Sequence, residues 1–253
     1  MRTKRHDFPG AHGHPLAARL DAPDGEPRAY ALYAHCFTCG KDVLAARRIA
    51  QELTEHGIAV LRFDFTGIGA SGGDFADTNF STNVDDLLVA ADYLRTHFTA
   101  PQLLIGHSLG GTAMLAAAEH LPEAKAVVTI ASPGHPAFAT TTFSEHLERI
   151  AEEGEAHVEL AGRPFRIRQQ FVDDAGTHSL RDKIAGLRKA LLVMHAPGDD
   201  TVPLSHAMEI FVPAKHPKSF VSLDDADHLL TRREDAAYVA KVIAAWSRRY
   251  LDR

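Results

Sequence analysis

The chain is short of the features that mark several large protein classes. It has only two cysteines, Cys36 and Cys39, too close together to staple a secreted disulfide scaffold. No apolar stretch nears the roughly 18 residues that a membrane span needs. Basic residues never run beyond a pair or two and the net charge is −6; both argue against a nucleic-acid surface. The charged start, Met1-Arg2-Thr3-Lys4-Arg5-His6-Asp7, is followed by no apolar segment. No signal peptide is therefore expected, and the cytoplasm is the expected compartment. Internal repeats and low-complexity segments are absent.

What is present suits one folded unit. With 45% hydrophobic content over 253 residues, a single domain spanning 1–253 is expected. Apolar runs at 29–35, 58–63, 101–105, 126–131, 190–195 and 219–223 read as strands. Helices are expected at 42–57, with Asp42 as N-cap and Gly57 as C-cap, and at 81–97, 112–121 and 232–250. Strand alternating with helix predicts an α/β fold with a mostly parallel, doubly wound sheet. Before it, 2–11 and 14–20 read as an N-terminal antiparallel hairpin. That hairpin holds His6, His12 and His14 without an acidic or cysteine cluster at ligand spacing. A solvated hairpin is the reading, and no metal or cofactor is expected. Residues 132–189 are far longer than a usual strand-to-helix connection. They hold a charged helix near 143–153, a hairpin around Ala161-Gly162-Arg163 and a helical piece near Gln169. We read them as a small cap insertion.

The chain centres on Gly106-His107-Ser108-Leu109-Gly110, between a strand and a helix. A serine on such a turn is a nucleophile elbow: side chains at Gly106 and Gly110 would collide with neighbouring backbone, and the hydroxyl stands at a helix N-terminus. A serine needs a base, and the base needs an orienting carboxylate. The loop after 190–195 offers Asp199, preferred over Asp200 because it comes first and keeps the Asp-x-x-Val-Pro spacing. The loop after 219–223 offers His228. Asp227 receives no catalytic role, and His35, His107 and His195 are read as structural or pocket-lining. The oxyanion hole is assigned to the backbone N–H groups of Leu109 and Phe37.

With these residues in place, the chain resembles the α/β-hydrolase superfamily over nearly its whole length. The anchors are 106–111, the Asp64-Phe65-Thr66-Gly67-Ile68-Gly69 turn, Asp199 to Pro203, and Asp227-His228. More narrowly, Ala34-His35-Cys36-Phe37-Thr38-Cys39 and Ala226-Asp227-His228-Leu229-Leu230 look like the hydrolase half of bacterial hydrolase–OsmC fusion proteins, here without the OsmC-like domain. The resemblance implies an α/β-hydrolase fold and serine hydrolase chemistry. Where most such relatives carry His-Gly, this chain has His35-Cys36, a change expected to narrow the pocket or tilt the Phe37 amide.

The leading reading is a serine hydrolase of carboxylesterase type, acting on a small-molecule ester through an acyl-enzyme. A serine aminopeptidase-like amide hydrolase is the alternative, with Glu152 and Glu153 as the acidic pair for an α-amine. A redox-linked protein using Cys36 and Cys39 stands lower. The insertion carries Phe138, Phe143, Phe165 and Phe171, which points to a partly apolar pocket. The sequence leaves oligomeric state open.

Overall fold

The computed structural model describes residues 1–252. In chain order the elements are β1 (Arg2–Pro9), β2 (Pro15–Ala22), β3 (Ala29–Ala34), α1 (Leu44–Glu55), β4 (Ile58–Phe63), α2 (Phe80–His97), β5 (Leu103–His107), α3 (Leu109–Ala117) and β6 (Ala126–Ile130). There follow α4 (Leu147–Glu153), β7 (Glu155–Leu160), β8 (Arg163–Arg168), α5 (Gln169–Thr177), α6 (Arg181–Ala185), β9 (Ala190–His195), α7 (Leu204–Phe211), β10 (Lys218–Ser222) and α8 (Arg233–Leu251).

Eight strands form one sheet in the order β1-β2-β4-β3-β5-β6-β9-β10. From β4 to β10 neighbours are parallel; β1 and β2 form the antiparallel hairpin, and β2 also runs antiparallel to β4. This is an α/β-hydrolase fold. The apolar runs are continuous because both sheet faces are covered. In β4, Ile58 and Val60 join the apolar layer that contains residues of α1 and α8. Ala59, Leu61 and Phe63 join the opposite layer, with residues of α2 and α3.

Parallel strands place their outgoing loops at one edge. The loops after β3, β5, β9 and β10 carry Phe37, Ser108, Asp199 and His228 respectively. Strand order reverses at β3 and β5, and ligands bind α/β sheets at such a crevice.

Three local expectations shift. Helix α1 begins at Leu44 behind Val43, which makes no side-chain cap. Asp42 is drawn off by Arg19 at 2.9 Å and Arg62 at 3.4 Å. The charged helix near 143–153 divides into a 3-10 stretch over Pro136–His146 and then α4. Helix α7 was not anticipated. No helix among the described residues is long and apolar enough to cross a membrane.

Candidate active site

Ser108 takes φ 52° and ψ −130° between β5 and α3. A non-glycine residue held there is strained, and the surroundings must over-determine it. They do. A Cβ on Gly106 would lie 2.3 Å from the Gly111 Cα, and one on Gly110 would lie 2.4 Å from the His35 carbonyl oxygen. Strand, helix and the loop after β3 are thus packed backbone on backbone around the serine. Its N–H donates to the Ile130 carbonyl at 2.8 Å.

The structure brings three of the expected side chains into a chain of hydrogen bonds. Ser108 Oγ lies 3.1 Å from His228 Nε2, and His228 Nδ1 lies 2.8 Å from Asp199 Oδ2. Asp199 Oδ1 accepts from the Thr201 and Val202 amides, both at 2.9 Å. Burial alone pushes the Asp199 carboxyl up, but the hydrogen bonds from His228 and from these amides outweigh it and hold the group below its ordinary range. Asp199 is therefore an anion facing Nδ1, which fixes the proton there and leaves Nε2 to accept from the serine. Asp200 is exposed and accepts from the Thr201 hydroxyl. Asp227 turns to Thr231, whose N–H it accepts at 3.0 Å.

Three buried histidines brace the loops. His107 Nε2 donates to the His228 carbonyl at 2.7 Å, and His195 Nε2 donates to the Val202 carbonyl at 2.8 Å. His35 Nδ1 donates to the Cys36 carbonyl at 2.7 Å, while its Nε2 accepts the Phe65 N–H at 3.3 Å. Burial pushes His107 down to about 4, the His228 charge acting in the same direction. His35 is also lowered, chiefly by burial. Both rings are neutral at pH 7, as their single-donor roles require.

The Phe37 and Leu109 amides sit where the loop after β3 rests on the first turn of α3, and no acceptor among the described residues takes either N–H. The two flanking cysteines are joined as a Cys36–Cys39 disulfide. Sequence reasoning missed what lies behind this loop. Lys41 is buried, with Nζ 2.6 Å from Asp64 Oδ2 and its N–H 2.6 Å from Oδ1. Arg62, also buried, donates to Asp21 at 2.7 Å and to the Lys41 carbonyl. The signal was Arg62 near the end of an otherwise apolar strand: a buried charge implies a partner.

Ser108 and His228 open into a cavity of about 510 Å³, also lined by Phe37, Val43, Leu160, Arg163 and Leu229. The volume suits a small organic ligand. Cys36 and Cys39 line it too. The four phenylalanines of 132–189 are not among its lining residues. Phe171 instead packs behind Phe37 at 5.2 Å, and Phe165 reaches Phe37 only through Phe75. Glu152 and Glu153 do not line the cavity either; Glu153 pairs with Arg149 at 3.0 Å. Elsewhere, His6 bonds the Tyr93 hydroxyl and His12 pairs with Asp85. His135, His206 and Glu209 each bring a donor atom to within 4.8 Å of the others, the one grouping of metal-ligand type among the described residues.

Several known proteins are similar to this chain, to different degrees. The esterase domain of a Rhodothermus marinus protein is 47% identical, with a TM-score of 0.81, and the match covers 99% of this chain and 100% of that one. Human mitochondrial palmitoyl-protein thioesterase ABHD10 is 28% identical over 182 residues, 68% of this chain and 56% of the relative. The alignment thus spans little more than half of that protein's length. Est1E from Butyrivibrio proteoclasticus, solved with ferulic acid, is 22% identical with a TM-score of 0.79 over 97% of this chain and 99% of its own, a likeness of fold. Residues 25–154 match the family described as serine aminopeptidase, S33. That match holds the loop after β3, the elbow and the start of the insertion, and by it the chain belongs to this family of α/β hydrolases.

Proposed function

We propose that the protein is a serine hydrolase of carboxylesterase type, with Ser108, His228 and Asp199 as its catalytic residues and the Phe37 and Leu109 amides as its oxyanion hole. The observation that carries this is the unbroken Ser108–His228–Asp199 hydrogen-bond chain, at 3.1 and 2.8 Å, opening into the cavity. Ser108 Oγ attacks the ester carbonyl as His228 Nε2 takes its proton. The Phe37 and Leu109 amides, at the positive end of α3, stabilise the charge that appears on the carbonyl oxygen. His228 then gives the proton to the departing alcohol. Water, deprotonated by the same nitrogen, attacks the acyl-serine and releases the acid. Asp199 holds the imidazole and stabilises its charged form.

Ester cleavage is preferred over aminopeptidase activity on one observation. An aminopeptidase needs a carboxylate to receive the substrate ammonium. Of the two charged residues that line this cavity, Glu159 stands on the outer face of the β7–β8 hairpin and the cation Arg163 on the face of Leu160. The ester reading also accords with the esterase description of the Rhodothermus marinus relative. A single domain with a cap at 132–189 and a cytoplasmic setting belong to the same proposal.

The test is turnover of p-nitrophenyl acetate beside a panel of aminoacyl p-nitroanilides. The proposal expects ester turnover that is lost in Ser108→Ala, and anilide turnover at least a hundredfold lower. Undiminished ester hydrolysis by Ser108→Ala would overturn it.

A further inference from the structure

Strands β7 and β8 form a separate two-stranded hairpin that overhangs the active site. Register fixes its faces. Ala156 opposes Ile167, Val158 opposes Phe165, and Leu160 opposes Arg163. Side chains alternate along a strand and directly opposed residues share a face. The first two pairs make the apolar inner face, buried at Ala156, Val158 and Ile167 and half-buried at Phe165. At the tip the pattern breaks: Leu160 is buried and lines the cavity, and its opposite residue is an arginine that lines the same cavity.

The hairpin's other arginines point the other way and are neutralised. Arg166 lies 2.6 Å from Asp74, and Arg168 lies 3.2 Å from Glu155 and also bonds Asp77. Arg163 has no carboxylate within ion-pair distance among the described residues. Its guanidinium carbon lies 5.3 Å from the centroid of the Phe165 ring, a contact that leaves its donors free. Glu159 also borders the cavity, but alternation puts it on the outer face and it forms no ion pair with Arg163. The cavity that Arg163 lines is the one onto which Ser108 and His228 open.

We propose that Arg163 is an anion-recognition residue and that the substrate is an ester bearing a carboxylate remote from the scissile carbonyl. The inference rests on the hydrolase reading above and names its substrate class. A guanidinium offers a planar pair of donors that matches a carboxylate. Arg163 is exposed to solvent, yet it shares its cavity with Phe37, Val43, Leu160 and Leu229, so an anion bound there is partly shielded from water. The carboxylate could sit on the acyl or the alcohol part, and the test separates the two.

Two pairs of substrates are compared by kcat/KM. Mono-p-nitrophenyl glutarate and its methyl ester place or remove the charge on the acyl side. 4-Acetoxybenzoate and its methyl ester do so on the alcohol side. The wild type is expected to favour the charged member of one pair about tenfold or more, as charge-assisted bonds of this kind provide. Arg163→Gln should cut that ratio about tenfold, Arg163→Lys should keep part of it, and 0.5 M NaCl should lower it in the wild type alone. A wild-type ratio at or below one in both pairs, or a ratio unchanged in Arg163→Gln, overturns the proposal. Binding isolates it from the hydrolase reading. Two uncleaved amides are used, glutaric acid mono-4-nitroanilide with its charge on the acyl side and 4-acetamidobenzoate with its charge on the other. The Kd of the one that matches the favoured ester pair, measured by calorimetry, should rise about tenfold from Ser108→Ala to Ser108→Ala/Arg163→Gln, whether or not Ser108 proves to be the nucleophile. Equal Kd values for both amides contradict the anion site alone.

Discussion

His107 Nε2 donates a hydrogen bond to the backbone carbonyl of His228 over 2.7 Å. The residue that precedes the serine in sequence thus fixes, across 121 positions, the loop that carries the histidine facing that serine. Its other ring nitrogen is buried without a partner, and burial pushes the ring down to about 4. The unfolded chain therefore binds a proton that the folded one refuses between about pH 6.5 and 4. In that window stability is lost as the pH falls, at up to roughly 1.4 kcal/mol per pH unit from this group. His107→Gln keeps a donor but cannot titrate. Urea midpoints measured from pH 7 to pH 4 should fall less steeply for His107→Gln than for the wild type. His107→Leu, with no donor, should lower kcat at pH 7 as well.

Asp199 and Asp200 are adjacent, but only the first reaches His228. Asp199→Asn should lower kcat on p-nitrophenyl acetate by roughly 10³–10⁴-fold, because the wrong imidazole tautomer is then favoured. Asp200→Asn should stay within about twofold. The two kcat values, each beside a circular dichroism spectrum that shows retained fold, check the assignment.

Lys41 and Asp64 form a buried ion pair behind the Phe37 loop. Removing one partner strands the other charge away from water, which costs about 3 kcal/mol or more. For a chain of this size Lys41→Met should lower Tm by roughly 6–12 °C. Differential scanning calorimetry reads this directly. A Tm within a degree of wild type would mean that the pair is not closed.

The Cys36–Cys39 disulfide spans Phe37, whose amide is proposed as an oxyanion donor. Closing so short a loop constrains the unfolded chain by only about 2 kcal/mol. Its larger effect should be on rate. A loosened Phe37 amide stabilises less of the charge that appears only in the transition state, so kcat should fall and KM should hardly move. Untreated protein should titrate with no free thiol, and phosphine-reduced protein with two and a several-fold lower kcat. Unchanged kcat after complete reduction would detach the disulfide from catalysis.

These sites were not equally visible in the sequence. The elbow was, because Gly106 and Gly110 stand where strand and helix backbones touch, and only glycine allows that approach. Asp199 and His228 followed from their positions after β9 and β10. Asp42 was misread as a helix cap because local preference says nothing of Arg19 and Arg62, which claim it across the fold. The phenylalanines of the insertion were expected in the pocket, yet Phe143 packs on Phe171 behind Phe37, Phe165 on Phe75 and Phe138 on His206, a matter of register that composition does not carry. Arg163 was merely a turn residue until the pairing of β7 with β8 placed it on the inner face.

The central claim is that Ser108 is an activated nucleophile, and labelling with a fluorophosphonate probe tests it most directly. The account predicts one covalent adduct, mapped by peptide mass to Ser108, that is absent in Ser108→Ala and strongly slowed in His228→Ala. A folded wild-type protein that takes no label, or takes it at another residue, would contradict it.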